Sequence, residues 1–301
     1  MGIAEVISNH LAGGVSKIGA AEARELVRIG AEKTDKLKAL NKSDQAKWFA
    51  QRDINYIRNY HEKDRVANKK RKLYTSSLLT DWDILGLTFD SFVPRPESVA
   101  HVNRAKKWAK VLAQGEHHGR FVMFGTAGTG KSWLSASIAN YVNTYSSAYK
   151  RQQVVLYLSA TRIGDLAKLV KSNSFGKEAE SARKQWQVVM DAVKGRQIKQ
   201  FDPSVGHDIS FRQDFANLIV IDDLGRENKS GSNAEHFKSL MFDLLDAIHK
   251  DASIIVNSNY TMAELSSMYD NDGALTSRMF TTKQEQILDF RSLPMFRATE
   301  N

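Results

Sequence analysis

Phe121-Val122-Met123-Phe124-Gly125-Thr126-Ala127-Gly128-Thr129-Gly130-Lys131-Ser132 is the stretch that decides how the rest of the chain is read. A short apolar run predicts a buried strand. The glycine-rich turn after it fills every defined position of the phosphate-binding pattern G-x-x-x-x-G-K-S, the Walker A loop. Such a loop turns its backbone N–H groups inward, where they cradle phosphate oxygens. Gly128 and Gly130 let the backbone approach closely, without a Cβ in the way. Lys131 brings a point charge to the β- and γ-phosphates, and the Ser132 hydroxyl is a magnesium ligand. Leu134, Ile138 and Val142 follow at helical spacing, so the loop opens a helix whose dipole adds to the site. Gly125, Thr126, Ala127, Gly128, Thr129, Gly130, Lys131, Ser132 and Trp133 are therefore the ATP-binding candidates.

The second decisive stretch is Leu218-Ile219-Val220-Ile221-Asp222-Asp223. Four apolar residues predict a buried strand that delivers two carboxylates at its C-terminal end, where open α/β sheets bind ligands. Asp222 reads as the Walker B magnesium residue. Asp223 follows at the position that orients or deprotonates the attacking water, one methylene shorter than a glutamate. A third apolar run, Ser253–Val256, ends in Asn257-Ser258-Asn259. A polar side chain at that tip is suited to sense the γ-phosphate, although asparagine also favours turns.

Composition sets the outer bounds. The chain has 301 residues, 42% of them hydrophobic, enough for one large domain and a small one. It contains no cysteine, which excludes disulfides and thiolate metal sites and suits a reducing cytoplasm. No run of 18 apolar residues predicts a membrane span, and the N-terminus lacks the pattern of a secretion signal. The eight histidines show no metal-ligand spacing. The formal net charge is +9, and it is uneven. Residues 1–75 hold 16 Lys/Arg against 9 Asp/Glu, and the remainder 27 against 25. A basic arm on a near-neutral body points to an acidic partner, nucleic acid first, or to a solvated Lys-rich face.

Residues 1–75 read as helical. Ser43 is expected to cap a helix with Asp44 in its first turn. Phe49, Tyr56, Ile57 and Tyr60 form an aromatic stripe, a packing face that a partner could complete. Lys69-Lys70-Arg71-Lys72 reads as a solvated linker or a phosphate contact. Residues 76–96 read as a linker with aromatic anchors, and 97–301 as the catalytic domain. Within it Val99–Leu112 predicts an amphipathic helix ended by Gly115. Val154–Leu158 predicts a strand, and Ile163–Lys194 a helical insertion. Residues 195–213 read as a polar, irregular loop. Thr261-x-x-Glu264 is a capping box. A last strand is expected at Gln286–Asp289.

Taken in order, GTAGTGKS, IDDLG, a strand ending NSN and an SRM arginine box resemble the AAA+ ATPases. The segment Thr88-Phe89-Asp90-Ser91-Phe92, the helix after it and the Walker strand resemble the DnaC/DnaI helicase-loader family, with the IstB transposition ATPases sharing the core. The likeness covers about residues 85–299. It implies an α/β fold: a P-loop NTPase (AAA+/ASCE) parallel sheet sandwiched by helices, with no C-terminal lid domain and a small all-α N-terminal domain. The expected absence of a lid rests on the 23 residues that follow Arg278.

The resemblance also implies roles. ATP and Mg²⁺ are the cofactors. Asp223 takes the catalytic-acid position and Asn259 the sensor 1 position, although Asn257 stands where threonine is usual. Arg278 is the arginine finger supplied in trans to a neighbour, within a ring or filament. Arg297 is the late sensor arginine, with Arg291 as the competing candidate. Lys168, Lys171, Lys177, Arg183 and Lys184 of the insertion line a channel for single-stranded DNA, or else a solvated face. The implied partners are a replicative DNA helicase and single-stranded DNA, with no membrane, in the cytoplasm of a bacterial or phage-infected cell. The rival readings are a transposition-helper ATPase on duplex DNA and a weakly hydrolysing, ATP-controlled adaptor.

Overall fold

The central sheet is built from the apolar runs that the sequence marks, and their order sets the site. In this computed structural model the described residues are 41–44, 47, 51, 66–115, 118–149, 152–171, 176–202, 207–227, 232–269, 273–281 and 283–295. The chain divides into two units, Met1–Lys63 and Asp64–Asn301. In the first, residues 42–44 are helical. Asn41, not Ser43, caps them: its Oδ1 accepts from the Asp44 backbone N–H at 2.9 Å, and its amide donates to Asp44 Oδ2 at 2.9 Å. Asparagine is as good a cap as serine, and it stands where the carboxylate three residues on can answer it. The aromatic stripe Phe49, Tyr56, Ile57 and Tyr60 lies outside the described residues.

The second unit contains α1 (Val99–Gln114), β1 (Arg120–Phe124), α2 (Lys131–Tyr145), β2 (Val154–Ser159), α3 (Ala160–Lys171) and α4 (Lys177–Lys194). There follow β3 (Arg196–Asp202), β4 (His207–Gln213), β5 (Ala216–Leu224), α5 (Ser232–Ala247) and β6 (Ser253–Ser258), then α6 (Met262–Tyr269), α7 (Ala274–Met279) and β7 (Ile287–Asp289). The five-stranded sheet has the order β2-β5-β6-β1-β7, parallel throughout. β6 therefore lies between the Walker A strand β1 and the Walker B strand β5. The strands are buried on both faces, which is why they read as continuous apolar runs and do not alternate.

One face of the sheet packs on α1 and α2 through Phe121, Met123, Val155, Tyr157, Val220 and Ile255. The other packs on α3, α4, α5, α6 and α7 through Leu156, Leu158, Ile219, Ile221, Ile254 and Val256. α1 ends as its sequence predicts, on Gly115 at φ +66°, whose N–H reaches Leu112 O at 3.0 Å. The Thr261 box also forms: its Oγ1 accepts from the Glu264 N–H, and its own N–H donates to Glu264 Oε2 at 2.7 Å.

Two segments differ from their sequence reading. Residues 196–202 and 207–213 pair as antiparallel strands, β3 with β4, in a two-stranded sheet of their own. Their residues are mostly polar, and Ile198, Phe201, Ile209 and Phe211 are too few for a sustained apolar alternation; cross-strand backbone pairing defines them. The stretch 66–79 is part of the body, not a solvated linker. Lys69 pairs with Asp214 at 3.1 Å, and Lys72 Nζ donates to Asp214 O at 2.9 Å. Leu73 is buried, and Leu78 exchanges backbone bonds with Tyr157 and Ser159 along the edge of β2. Two of the four consecutive cations are thus tethers. Among the described residues no helix is long and apolar enough to cross a membrane.

Gly125 joins β1 to the loop at φ +136°, and a Cβ there would meet Phe290 C at 2.6 Å and Arg291 N at 2.7 Å. Gly125→Ala combines a strained backbone with a clash against immobile main chain. It is expected to lower stability by about 2–4 kcal/mol, read by denaturant unfolding.

Candidate functional site

Three strand ends converge at the C-terminal edge of the sheet. β1 opens into the Gly125–Gly130 loop, β5 ends in Asp222 and Asp223, and β6 ends at Asn257 and Ser258 with Asn259 just beyond. The Gly125 N–H donates to Ser258 O at 3.2 Å, locking the loop to β6. Gly128 and Gly130 take φ values of +76° and +93°, which residues with a Cβ adopt only under strain. Thr129, fully buried, donates from Oγ1 to Thr126 O at 2.8 Å and holds the turn closed.

Lys131 is buried at the start of α2. Its ammonium donates to Gly125 O at 2.8 Å, Thr126 O at 2.7 Å and Asn259 Oδ1 at 3.0 Å. Burial lowers its pKa to about 8, against the pull of Asp223 and Asp222. Asn259 thus meets the Walker lysine directly, joining the third strand tip to the first. Trp133, two residues on in the same turn, donates from Nε1 to Thr88 O at 3.3 Å and packs edge-on against Phe92 at 5.6 Å. The Thr88–Phe92 segment is thereby fixed to the helix that carries the loop.

Asp222 is buried, and its Oδ1 accepts from Ser132 Oγ at 3.0 Å and from Asn257 Nδ2 at 2.7 Å. Burial raises its pKa, and the neighbouring Asp223 charge adds to this; hydrogen bonds from Asn257, Tyr157 and Ser132 oppose the rise. The same Asn257 amide donates to Ser135 Oγ at 2.6 Å, which faces the Tyr157 hydroxyl at 3.1 Å. Burial holds the Tyr157 phenol well above its usual pKa, so it remains a neutral donor. Ser135, Tyr157 and Asn257 form a polar floor beneath Asp222. Sequence reading missed Ser135 and Tyr157. The available signals were a hydroxyl one turn past Ser132 and a single polar group inside the apolar run of β2.

Asp223 adopts φ +56°, and the β5–β6 register shifts between Ile221 and Leu224. Aspartate and asparagine enter this left-handed region more readily than longer side chains, which explains why the shorter acid stands here. Its carboxylate pairs with Arg226 at 3.3 Å. Beyond it Glu227 is buried; its Oε2 accepts from the Gly225 N–H at 2.9 Å and its Oε1 from the Tyr269 hydroxyl. That carboxylate fixes the turn after β5 to α6, a role that nothing in the local sequence announces.

Ser132 and Asp222 fit magnesium: a hydroxyl and a carboxylate oxygen stand side by side at the mouth of the loop. Among the described residues no group of three or more His, Cys, Asp or Glu could hold a metal unaided. Magnesium is ordinarily held by one or two carboxylates together with substrate phosphates, so this sparse donor set agrees with it.

Other candidates lie elsewhere. Arg278 is at the far edge of the sheet: its carbonyl accepts from Arg120 Nε at 2.6 Å, where β1 begins, and its guanidinium pairs with Asp246 at 3.2 Å. Arg291 lies beside the loop, bidentate on Asp289 with Nη2–Oδ2 at 2.7 Å and 5.2 Å over the Phe124 ring. That pairing holds the Asp289 carboxyl below its usual pKa. Arg297 lies outside the described residues. Of the five basic candidates on α3 and α4, Lys168 pairs with Asp165 at 3.8 Å, Lys171 with Asp243 at 2.7 Å and Lys184 with Glu180 at 2.6 Å. Lys177 lines a groove between the two helices, and Arg183 lies further along α4.

Comparison with known proteins gives likenesses among solved structures only. No protein-family model and no curated protein matches the chain. Among solved structures it is similar to DnaI, at 16% identity over 73% of this chain and 95% of that one, with a TM-score of 0.42. It is similar to the DnaC helicase loader at 14% identity, over 69% of this chain and 99% of that one, TM-score 0.44. Domain III of the Thermotoga maritima replication initiation protein DnaA gives 18% identity, 69% and 67% coverage and a TM-score of 0.41. The five-stranded parallel sheet, with its glycine-rich loop opening from β1 into α2, is a P-loop α/β fold. At these identities and superpositions the likeness carries no residue role across.

Asn257→Ala would strip Asp222 of one donor, while Ser135 keeps its contacts with the Tyr157 hydroxyl and Ser132 O. The magnesium concentration that half-saturates ATP hydrolysis is expected to rise about 10- to 100-fold. Asn257→Thr, which restores a hydroxyl donor, is expected to recover much of that loss.

Proposed function

We propose that this chain is an ATP-dependent DNA replication protein that loads a replicative helicase onto single-stranded DNA. The observation that carries the ATPase part is the junction of Lys131 with Asn259 and of Ser132 with Asp222, which draws three strand tips into one polar cluster. The loader part is supported by the sequence resemblance over residues 85–299.

In this reading Gly125–Ser132 bind the triphosphate, and Lys131 exchanges its loop carbonyls for phosphate oxygens. Magnesium held by Ser132 and Asp222 would neutralise charge on the β- and γ-phosphates. Asp223 orients the attacking water and accepts its proton, and Asn259 fixes the lysine that faces the γ-phosphate. Arg278 serves the nucleotide of a neighbouring copy in a ring or filament, and Arg297 is the late sensor. Residues 1–75 grip the helicase, and hydrolysis releases it. Lys168, Lys171, Lys177, Arg183 and Lys184 are the proposed DNA contacts on α3 and α4.

A second reading, a slowly hydrolysing switch, is favoured by one observation. Asp223 is held by Arg226 in a left-handed conformation, and swinging to a water would break that pair.

The deciding experiment joins two measurements on the full chain: native mass spectrometry with a replicative helicase, and steady-state ATP hydrolysis with and without single-stranded DNA. A helicase complex and DNA-stimulated hydrolysis are expected. Failure to bind helicase, together with a preference for long duplex DNA, would overturn the loader reading in favour of a transposition helper. Tight ATP binding with turnover that DNA fails to raise would establish the switch.

A further inference from the structure

On the face of the sheet opposite α3 and α4, a groove of about 500 Å³ runs between α1 and α2. Ser137 and Tyr145 in it lie six and fourteen residues beyond Lys131. At 1.5 Å per residue that is about 9–21 Å along α2, away from the triphosphate loop. Three aromatic rings line it. Tyr141 lies 4.7 Å from Tyr145 at 41°, and Phe89 meets Tyr141 edge-on at 6.4 Å. Tyr145 is 51% exposed, so its ring is open to a ligand.

The charge at this groove is one-sided. The sixteen residues of α1 contain Arg104, Lys106, Lys107 and Lys110 and no carboxylate. Arg104 is committed to the Ile287 carbonyl at 3.0 Å, on the β7 side. Lys106 and Lys110 line the groove, with the Lys106 ammonium 5.9 Å from the Phe89 centroid. Neither forms an ion pair among the described residues, and Asp90 is the one acid in the lining. At the floor, Ser137 Oγ is buried without a hydrogen-bond partner. A buried hydroxyl left alone carries a desolvation cost that a polar ligand edge would relieve.

Cations interleaved with accessible aromatic rings are how proteins hold single strands: rings stack bases, and ammonium groups track phosphates. We propose that this groove is a contact site for single-stranded nucleic acid. One base would sit among Phe89, Tyr141 and Tyr145 with its edge toward Ser137, and the flanking phosphates would lie on Lys106 and Lys110. The proposal rests on the single-strand-binding part of the function above, and it places a strand contact on the face away from the α3–α4 lysines.

The test uses the full chain with saturating ATP and magnesium, so that the loop is filled. Fluorescence anisotropy of a labelled oligothymidylate is compared for wild type, Tyr145→Ala and the double variant Lys106→Gln/Lys110→Gln. Each variant is expected to lose at least tenfold in affinity while binding ATP as before. Losing two phosphate contacts should also shrink the log–log salt slope by about 1.4. Wild-type affinity in both variants would overturn the groove while leaving strand binding intact. If the wild type binds no oligonucleotide, the strand-binding reading and the groove fall together. In a third arm dTMP competes. A monomer that binds as tightly as the oligonucleotide, and is lost in the variants, would overturn the strand assignment in favour of a free-nucleotide site.

Discussion

Lys131→Ala is expected to reduce ATP affinity by about 100- to 10,000-fold and to bring hydrolysis to background. A charge-assisted hydrogen bond contributes about 1.5–3 kcal/mol, and the ammonium supplies two toward the phosphates, with each 1.4 kcal/mol worth tenfold. The fold should tolerate the change, because a buried cation is costly to hold even with Gly125 O, Thr126 O and Asn259 Oδ1 around it. Isothermal titration with ATP and a thermal melt separate the two effects. The same residue fixes a pH dependence. Burial lowers its pKa to about 8, so the free protein carries the ammonium below that pH and a neutral amine above it. Phosphates favour the charged form, so binding above pH 8 must take up a proton. ATP affinity is therefore expected to be level up to about pH 8 and to fall up to about tenfold per unit beyond it. Affinity unchanged between pH 7 and 9.5 would show that the free protein's lysine keeps its proton over that range or does not bear on the phosphates, and the Lys131→Ala titration separates the two.

What could be read from the sequence divides by the range of the interaction. The Gly125–Ser132 loop and the Ile221–Asp222 strand tip are local: a few consecutive residues carry both the backbone geometry and the chemistry, so both were legible. The strands themselves followed from apolar runs separated by helical periods, but their order in the sheet, β2-β5-β6-β1-β7, did not. The polar floor beneath Asp222 was not legible, because Ser135, Tyr157 and Asn257 come from α2, β2 and β6 and meet only once the sheet has formed. Lys69 and Lys72 looked like solvated charges because Asp214, which receives both, lies more than 140 residues away. The β3–β4 pair was hidden for another reason: only Ile198, Phe201, Ile209 and Phe211 are apolar in it, too few for a sustained strand period to show in the sequence. Asp223 lay between these cases. Its position was clear from the pattern, but the left-handed backbone that suits aspartate was visible only in three dimensions.

Arg278→Ala is expected to cut assembly-dependent hydrolysis by about 1,000-fold or more while leaving ATP affinity unchanged. The argument begins with the sheet. Arg278 O is bonded to Arg120 at the start of β1, whereas the phosphate loop leaves the other end of that five-residue strand. At about 3.3 Å per residue the two ends are roughly 13 Å apart, and Gly125–Lys131 lie further still. The Arg278 guanidinium is turned toward α5, between Asp246 and the Phe242 ring, and cannot serve its own nucleotide. If it acts on a phosphoryl group, that group belongs to another copy. The pair with Asp246 is exposed, so releasing it to reach a neighbour costs about 1 kcal/mol or less. A mixing experiment isolates this role. Arg278→Ala chains keep an intact loop, and Lys131→Ala chains keep an intact arginine, so an equal mixture should regain hydrolysis that neither variant shows alone. Wild-type turnover by Arg278→Ala at every protein concentration, or a mixture as inactive as its parts, would remove Arg278 from the reaction and return it to a surface pairing with Asp246.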